Sequence, residues 1–337
     1  MAGDPNVLDE DILAYSLVEE GRGPFNPRIR PDPEYVRLPE GTAQLESALG
    51  FGNWADRWRR HGRFRNRVAA GIRLPVLVSE GDSWFQFPLI IKDVIDHLGD
   101  NYLIWSLGAA GDTASNMVGT AAAPGEREYL DALRTHGEAV RAFLFSGAGN
   151  DVIGIDPITE RPVLEELVRP FNGNETDIDG HIDEAALARR LGVLEAAYGA
   201  LIESVRGDDR LGRLPILLHG YDYVYPWPWG GDDPRDPKHA NPNDKWIGAP
   251  MTARGIMEDT LRRALVSRLI DRLYALLFDL AGDSAESNIW VVDCRGALPE
   301  LGDWVDEIHA TSAGFGKVAA RFEATLHRAL GTNAPPS

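Results

Sequence analysis

A serine, a histidine three residues after an aspartate, and two small glycine-rich turns lying between them in the chain are the groups with the types and spacing to do chemistry. Ser83 stands in "VLVSEGDSWFQFP", and Asp306 and His309 stand in "DEIHATSAG". A serine hydroxyl is a poor nucleophile at neutral pH, so it needs a base within hydrogen-bond reach and a group that orients the base. His309 can take the proton from Ser83 and return it to a leaving group. Asp306 can hold the imidazole tautomer and stabilise the imidazolium. Acyl transfer also creates an oxyanion, for which the backbone N–H groups of Ser83 and Gly111 and the side-chain amide of Asn150 are candidate donors. The other reading of Ser83 is the N-cap of a following helix, the commoner role for a serine after a strand.

These residues need a frame that brings them together. Apolar runs at "PVLVSEG", "YLIWSLG", "AFLFSGAG", "PILLHGY" and "NIWVVDC" each read as a buried strand. Leu261, Leu265, Leu269, Leu273, Leu277 and Leu280 form a stripe at helical spacing that ends at Gly282, and Val318, Phe322, Leu326 and Leu330 form another. Strand–helix alternation implies a parallel five-stranded sheet covered on both faces, with ligands at the carboxyl ends of its strands. Ser83, the "GAAGDTASN" turn with Gly111, the "GAGNDVIG" turn with Asn150, and the Asp306–His309 pair all fall at such ends.

In kind and in order these blocks resemble those of the SGNH hydrolases, the GDSL-type esterases and lipases. Ser83 matches the serine of "GDS", Gly111 the second-block glycine in "GDT", Asn150 the asparagine of "GND", and Asp306 with His309 the final D-x-x-H, over about residues 74–330. The resemblance implies a flavodoxin-like three-layer α/β/α fold and a metal-free, cofactor-free serine ester hydrolase working through an acyl-enzyme. It also implies an open site that accepts many acyl groups. Trp84 replaces the leucine of the motif name, and the span from Asn150 to His309 exceeds that of a minimal member.

Part of that extra length is "YDYVYPWPWGGDDPRDPKHANPNDKW". Prolines favour an extended backbone there, so Tyr221, Tyr223, Tyr225, Trp227 and Trp229 could form one aromatic face. It would serve as a wall or lid beside the nucleophile, or else as a long loop pinned to the body by its aromatics. Trp84, Phe85 and Phe87 carry the same ambiguity. The expected organisation is an N-terminal arm and basic helix over 1–71, packed on or beside the core, then a hydrolase domain over 72–332 with an aromatic insertion at about 220–252, and a disordered tail at 333–337. Six arginines at 57–67, set among Trp54, Trp58 and Phe64, read as a solvated helix face packed by its aromatics, or as a surface for phosphates or headgroups.

A formal charge of −18 argues against general nucleic-acid binding, and 44% hydrophobic residues suffice for a sizeable core. One cysteine, Cys294, excludes an intrachain disulfide. With neither signal peptide nor membrane span in view, a cytoplasmic enzyme is expected. No G-x-S-x-G elbow surrounds a serine, "SAGFGKV" departs from a phosphate loop, and the histidines show no metal-ligand spacing. The expected substrate is a small or medium acyl ester, including O-acetyl carbohydrate. Lysophospholipase, lipase or thioesterase activity would use the same chemistry. A catalytically idle ligand-binding module that keeps the fold is the alternative of another class.

Overall fold

The computed structural model describes residues 14–20, 27–32, 48–87, 91–119, 127–154, 161–231, 233, 235 and 246–331; most of the expected N-terminal arm, the expected disordered tail at 333–337 and residues 236–245 of the aromatic insertion lie outside them. All five expected strands form, as β3 (Val76–Gly81), β4 (Leu103–Ser106), β5 (Val140–Ser146), β6 (Ile216–His219) and β7 (Ile289–Val292). They pair in parallel in the order β4-β3-β5-β6-β7. Counted from the first strand of the sheet this is the flavodoxin-like order 2-1-3-4-5, whose switch point lies between β3 and β5. In the arm, β1 (Ser16–Glu20) and β2 (Pro27–Pro31) form an antiparallel pair. The prolines of β2 stand at its two ends, where a strand tolerates them.

Helices cover both faces of the large sheet. Phe143 and Phe145, two apart on β5 and so on one face, meet Tyr129 and Tyr198. In chain order the helices that matter here are α1 (Ala48–Ala69), α2 (Val94–Leu98), α3 (Ala114–Val118), α4 (Glu128–His136), α5 (Gly149–Ile153), α6 (Glu184–Arg206), α7 (Gly248–Ala253), α8 (Asp259–Ala281) and α9 (Ser312–Leu330). The two leucine-rich stripes become α8 and α9. α8 packs with α6 and onto β6 and β7, and α9 packs with α2 and onto β5 and β7.

The basic helix α1 lies along the edge strand β4, and it is turned the opposite way from a solvated arginine face. Arg59 and Arg60 are 1% and 6% exposed, while Trp54 and Trp58 are 43% and 49% exposed. Arg60 reaches the Phe85 carbonyl at 2.7 Å and ion-pairs with Asp56, Asp93 and Asp96. Desolvation opposes its charge, yet the three carboxylates hold the guanidinium above its ordinary range. Arg57 donates to the Leu107 carbonyl, His61 contacts the Ser106 carbonyl at 2.8 Å, and Arg67 reaches the Gly99 carbonyl at 2.5 Å. Edge-strand and loop carbonyls need donors, and the arginines of α1 supply them.

Candidate active site

β3 ends at Gly81, where a side chain would press on Ser146 of β5: a Cβ would stand 2.7 Å from the Ser146 Cβ. Glycine therefore lets the two central strands close at the switch point. The chain then turns on Asp82, whose carbonyl accepts from Phe85 N and Gln86 N at 3.0 and 2.9 Å and whose Oδ1 accepts from Trp84 N at 3.1 Å. Ser83 sits inside this turn. The N-cap reading of Ser83 falls away, because the following helix, α2, is capped by Asp93.

A buried polar chain holds Asp82 from below. His219 Nε2 donates to Ser146 Oγ at 2.7 Å, and Ser146 Oγ donates to Asp82 Oδ1 at 2.8 Å. Tyr221 donates its hydroxyl to Asp82 Oδ2 and accepts from Gly149 N at 2.8 Å. Burial pushes Asp82 up to about 6, against the hydrogen bonds from Tyr221 and Ser146, and pushes His219 down to about 3. Neutral His219 is thus a structural donor, and Tyr221 belongs to this support.

Residues 304–310 form a tight return before α9, with Trp304 bridged to Ala310 and Val305 N bonded to the His309 carbonyl at 2.9 Å. Asp306 Oδ1 accepts from Ile308 N and His309 N at 2.9 and 2.7 Å, which leaves Oδ2 for His309 Nδ1 at 2.7 Å. His309 Nε2 then faces Ser83 Oγ at 3.0 Å. With the ring proton on Nδ1 and directed to Asp306, Nε2 can accept from the serine hydroxyl. Ser83, Asp306 and His309 are fully buried. The Phe87 ring lies edge-on to the imidazole at 4.6 Å.

Gly111 and Asn150 come from the next two strand ends. The Gly111 loop is held by Ala109 N on the Gly81 carbonyl at 2.7 Å and by Asn53 of α1, which bonds both the N–H and the carbonyl of Ala110 at 3.0 and 3.2 Å. Gly111 has φ +86°, a conformation that favours glycine. Asn150 opens α5 and gives one N–H to the Asp112 carbonyl at 2.7 Å, so it stands beside the Gly111 loop with a second amide N–H in hand. Asp151 Oδ2 accepts from Ala114 N at 2.9 Å and joins the same two loops. Burial lifts Asp151 to about 6.

The aromatic residues expected to form one wall divide among several partners. Trp84 and Phe85 are 2% and 0% exposed, and Trp84 is spent on packing, with its Nε1 on the Ile308 carbonyl at 3.0 Å. Tyr223 bonds Asp271 of α8 at 2.6 Å, and Tyr225 bonds the Pro299 carbonyl at 2.6 Å beneath Arg263 of α8 and beside Trp229. These are the anchors of a loop pinned to the body: buried hydroxyls seek acceptors, and α8 and the 299 turn offer them. Trp227 is placed through its backbone, whose N–H is bonded to Glu307 Oε1 at 2.8 Å.

Two residues that motif spacing passes over stand next to His309. Trp246 is fully buried with its ring edge-on to the imidazole at 6.3 Å. Glu307, inside the D-x-x-H block, is also fully buried. Desolvation lifts its carboxyl to about 8 against the backbone bonds that lower it. The one available signal was a glutamate between two chemical residues, which spacing alone does not interpret. A cavity of about 40 Å³ is lined by the neighbours of the motif residues, Asp82, Trp84, Gly149 and Ile308, together with apolar side chains of α6 and α8 such as Leu187 and Leu269. Among the described residues no group of three or more His, Cys, Asp or Glu side chains is placed to hold a metal ion, and no helix is long and apolar enough to cross a membrane.

No protein-family model matches the chain, and no curated protein matches it by sequence. Among solved structures it is similar to an extracellular lipase from Streptomyces rimosus, with 13% identity, a TM-score of 0.41, and coverage of 74% of this chain and 99% of that one. It is also similar to Est24, a carbohydrate acetylesterase from Sinorhizobium meliloti, with 12% identity, a TM-score of 0.38, and coverage of 73% and 95%. Superposition this partial says nothing of what the present chain acts on.

Proposed function

We propose that the chain is a serine-dependent carboxylic ester hydrolase of the SGNH type. The observation that carries this reading is the series Ser83 Oγ to His309 Nε2 at 3.0 Å and His309 Nδ1 to Asp306 Oδ2 at 2.7 Å, closed at the switch-point edge of the sheet. Ser83 Oγ attacks the ester carbonyl carbon as its proton passes to His309 Nε2, and Asp306 balances the imidazolium. The carbonyl oxygen, now negative, is received by the N–H groups of Ser83 and Gly111 and by the Asn150 amide. Collapse of the tetrahedral intermediate breaks the bond to the alcohol oxygen, which leaves with the proton from His309. Water then attacks the acyl-serine with His309 as base, and the acid is released.

The substrate in this reading is a small or medium acyl ester, O-acetyl carbohydrate included. Ser83 and His309 are fully buried, so substrate entry requires side-chain movement around the imidazole.

The test is hydrolysis of p-nitrophenyl esters from acetate to palmitate by wild type and S83A, with fluorophosphonate labelling in parallel. Turnover that is greatest for the short esters and absent in S83A is expected. A wild type that neither turns over nor labels refutes the hydrolase reading and leaves the ligand-binding module.

A further inference from the structure

The Glu307 side chain, from the Asp306–His309 turn, ends among four backbone N–H groups. Oε1 accepts from Trp227 N and Gly248 N at 2.8 and 2.7 Å, and Oε2 accepts from Trp246 N and Ile247 N at 3.2 and 3.1 Å. The donors come from the two ends of the aromatic insertion, which this carboxyl draws together. Gly248 makes the closure possible, since a Cβ there would collide with the Trp227 carbonyl. A second tie runs from Arg235, which donates to the Tyr225 carbonyl at 2.7 Å and to the Asp306 carbonyl at 3.3 Å. The insertion is therefore bolted to the turn that carries the base, and the Trp246 ring that it brings in meets His309.

We infer that Glu307 is a positioning residue: by fastening both ends of the insertion to the 306–309 turn, it holds His309 in register with Ser83. This rests on the hydrolase reading above and deepens it. Asp306 fixes the imidazole within the turn through three bonds; Glu307 fixes the turn within the protein. A base displaced by about 1 Å can lose about 10² in rate, so the tether matters to turnover more than to substrate affinity.

The experiment compares wild type, E307A and E307Q with p-nitrophenyl acetate and with a fluorophosphonate, and repeats E307A on an H309A background. E307A removes every acceptor and is expected to lower kcat and the labelling rate about 10²-fold, with KM within about threefold. E307Q keeps one oxygen for two of the four N–H groups and is expected to recover about tenfold of that loss. On H309A, E307A is expected to leave the residual labelling rate unchanged, because a residue that acts through His309 has nothing left to position. If the alanine variant does not melt cooperatively, E307Q carries both comparisons. An unchanged kcat in the variants, or the same fractional loss on the H309A background, overturns the inference while the hydrolase reading stands. A wild type inert to both ester and fluorophosphonate removes the hydrolase reading and this inference with it.

Discussion

Replacing Asp306 by Asn tests the arrangement around the base, because the two carboxylate oxygens have different partners. Oδ1 accepts from two backbone N–H groups at 2.9 and 2.7 Å, and Oδ2 accepts from His309 Nδ1 at 2.7 Å. In D306N the amide oxygen stays on the two backbone donors, so the NH2 group faces the imidazole. Nδ1 must then accept, the ring proton moves to Nε2, and the base becomes a donor toward Ser83. Turning the amide over restores the active tautomer but breaks two buried hydrogen bonds, at a cost of about 2–3 kcal/mol. Roughly one molecule in 10² is then competent, at about 1.4 kcal/mol per decade. Losing the charge that stabilises the imidazolium costs about another ten- to hundredfold, the gap between charged and neutral hydrogen bonds. The expected fall in kcat/KM for p-nitrophenyl acetate is therefore about 10³–10⁴, with cooperative melting retained. A D306N enzyme within tenfold of wild type, alongside an inactive H309A, would refute the claim that Asp306 sets the tautomer of the base.

Asn150→Ala is expected to lower kcat by about 10²–10³ with little change in melting temperature; equal activity would remove Asn150 from the oxyanion site. Arg60→Met leaves Asp56, Asp93 and Asp96 without their shared cation. Urea unfolding is expected to show a loss of about 3–5 kcal/mol, and a loss below 1 kcal/mol would show the cluster to be solvated. His219 is held neutral by burial, down to about 3, whereas in the unfolded chain it protonates near about 6.5. As pH falls below the unfolded value the unfolded chain takes up the proton first, so this residue's contribution is present above about pH 6.5 and lost on acidification, by up to about 5 kcal/mol near pH 3. His219→Gln, which keeps a donor for Ser146, is expected to lose stability less steeply between pH 6.5 and 4; parallel urea-unfolding curves across that range would place His219 in solvent.

Sequence alone determined the frame. Strands such as Val76–Gly81 and the stripe from Leu261 to Leu277 are written in neighbouring residues, because period and turn chemistry are local properties. The four small polar motifs were legible for the same reason, since a parallel sheet delivers its strand ends to one edge, and the structure places Ser83, Asp306 and His309 in bonded series there. Tertiary structure decided which way long side chains point and whom they meet. Arg59 and Arg60 turn inward and Trp54 and Trp58 outward, because carboxylates and carbonyls of distant segments lie along one side of α1. Tyr221 goes to Asp82, Tyr223 and Tyr225 go to α8 and the 299 turn, and Trp246 comes to His309. Loop backbones have no period from which such directions could be read. The role of Glu307 depends on four N–H groups brought from 59 to 80 positions away, and only the packed chain puts a buried carboxyl where those donors converge.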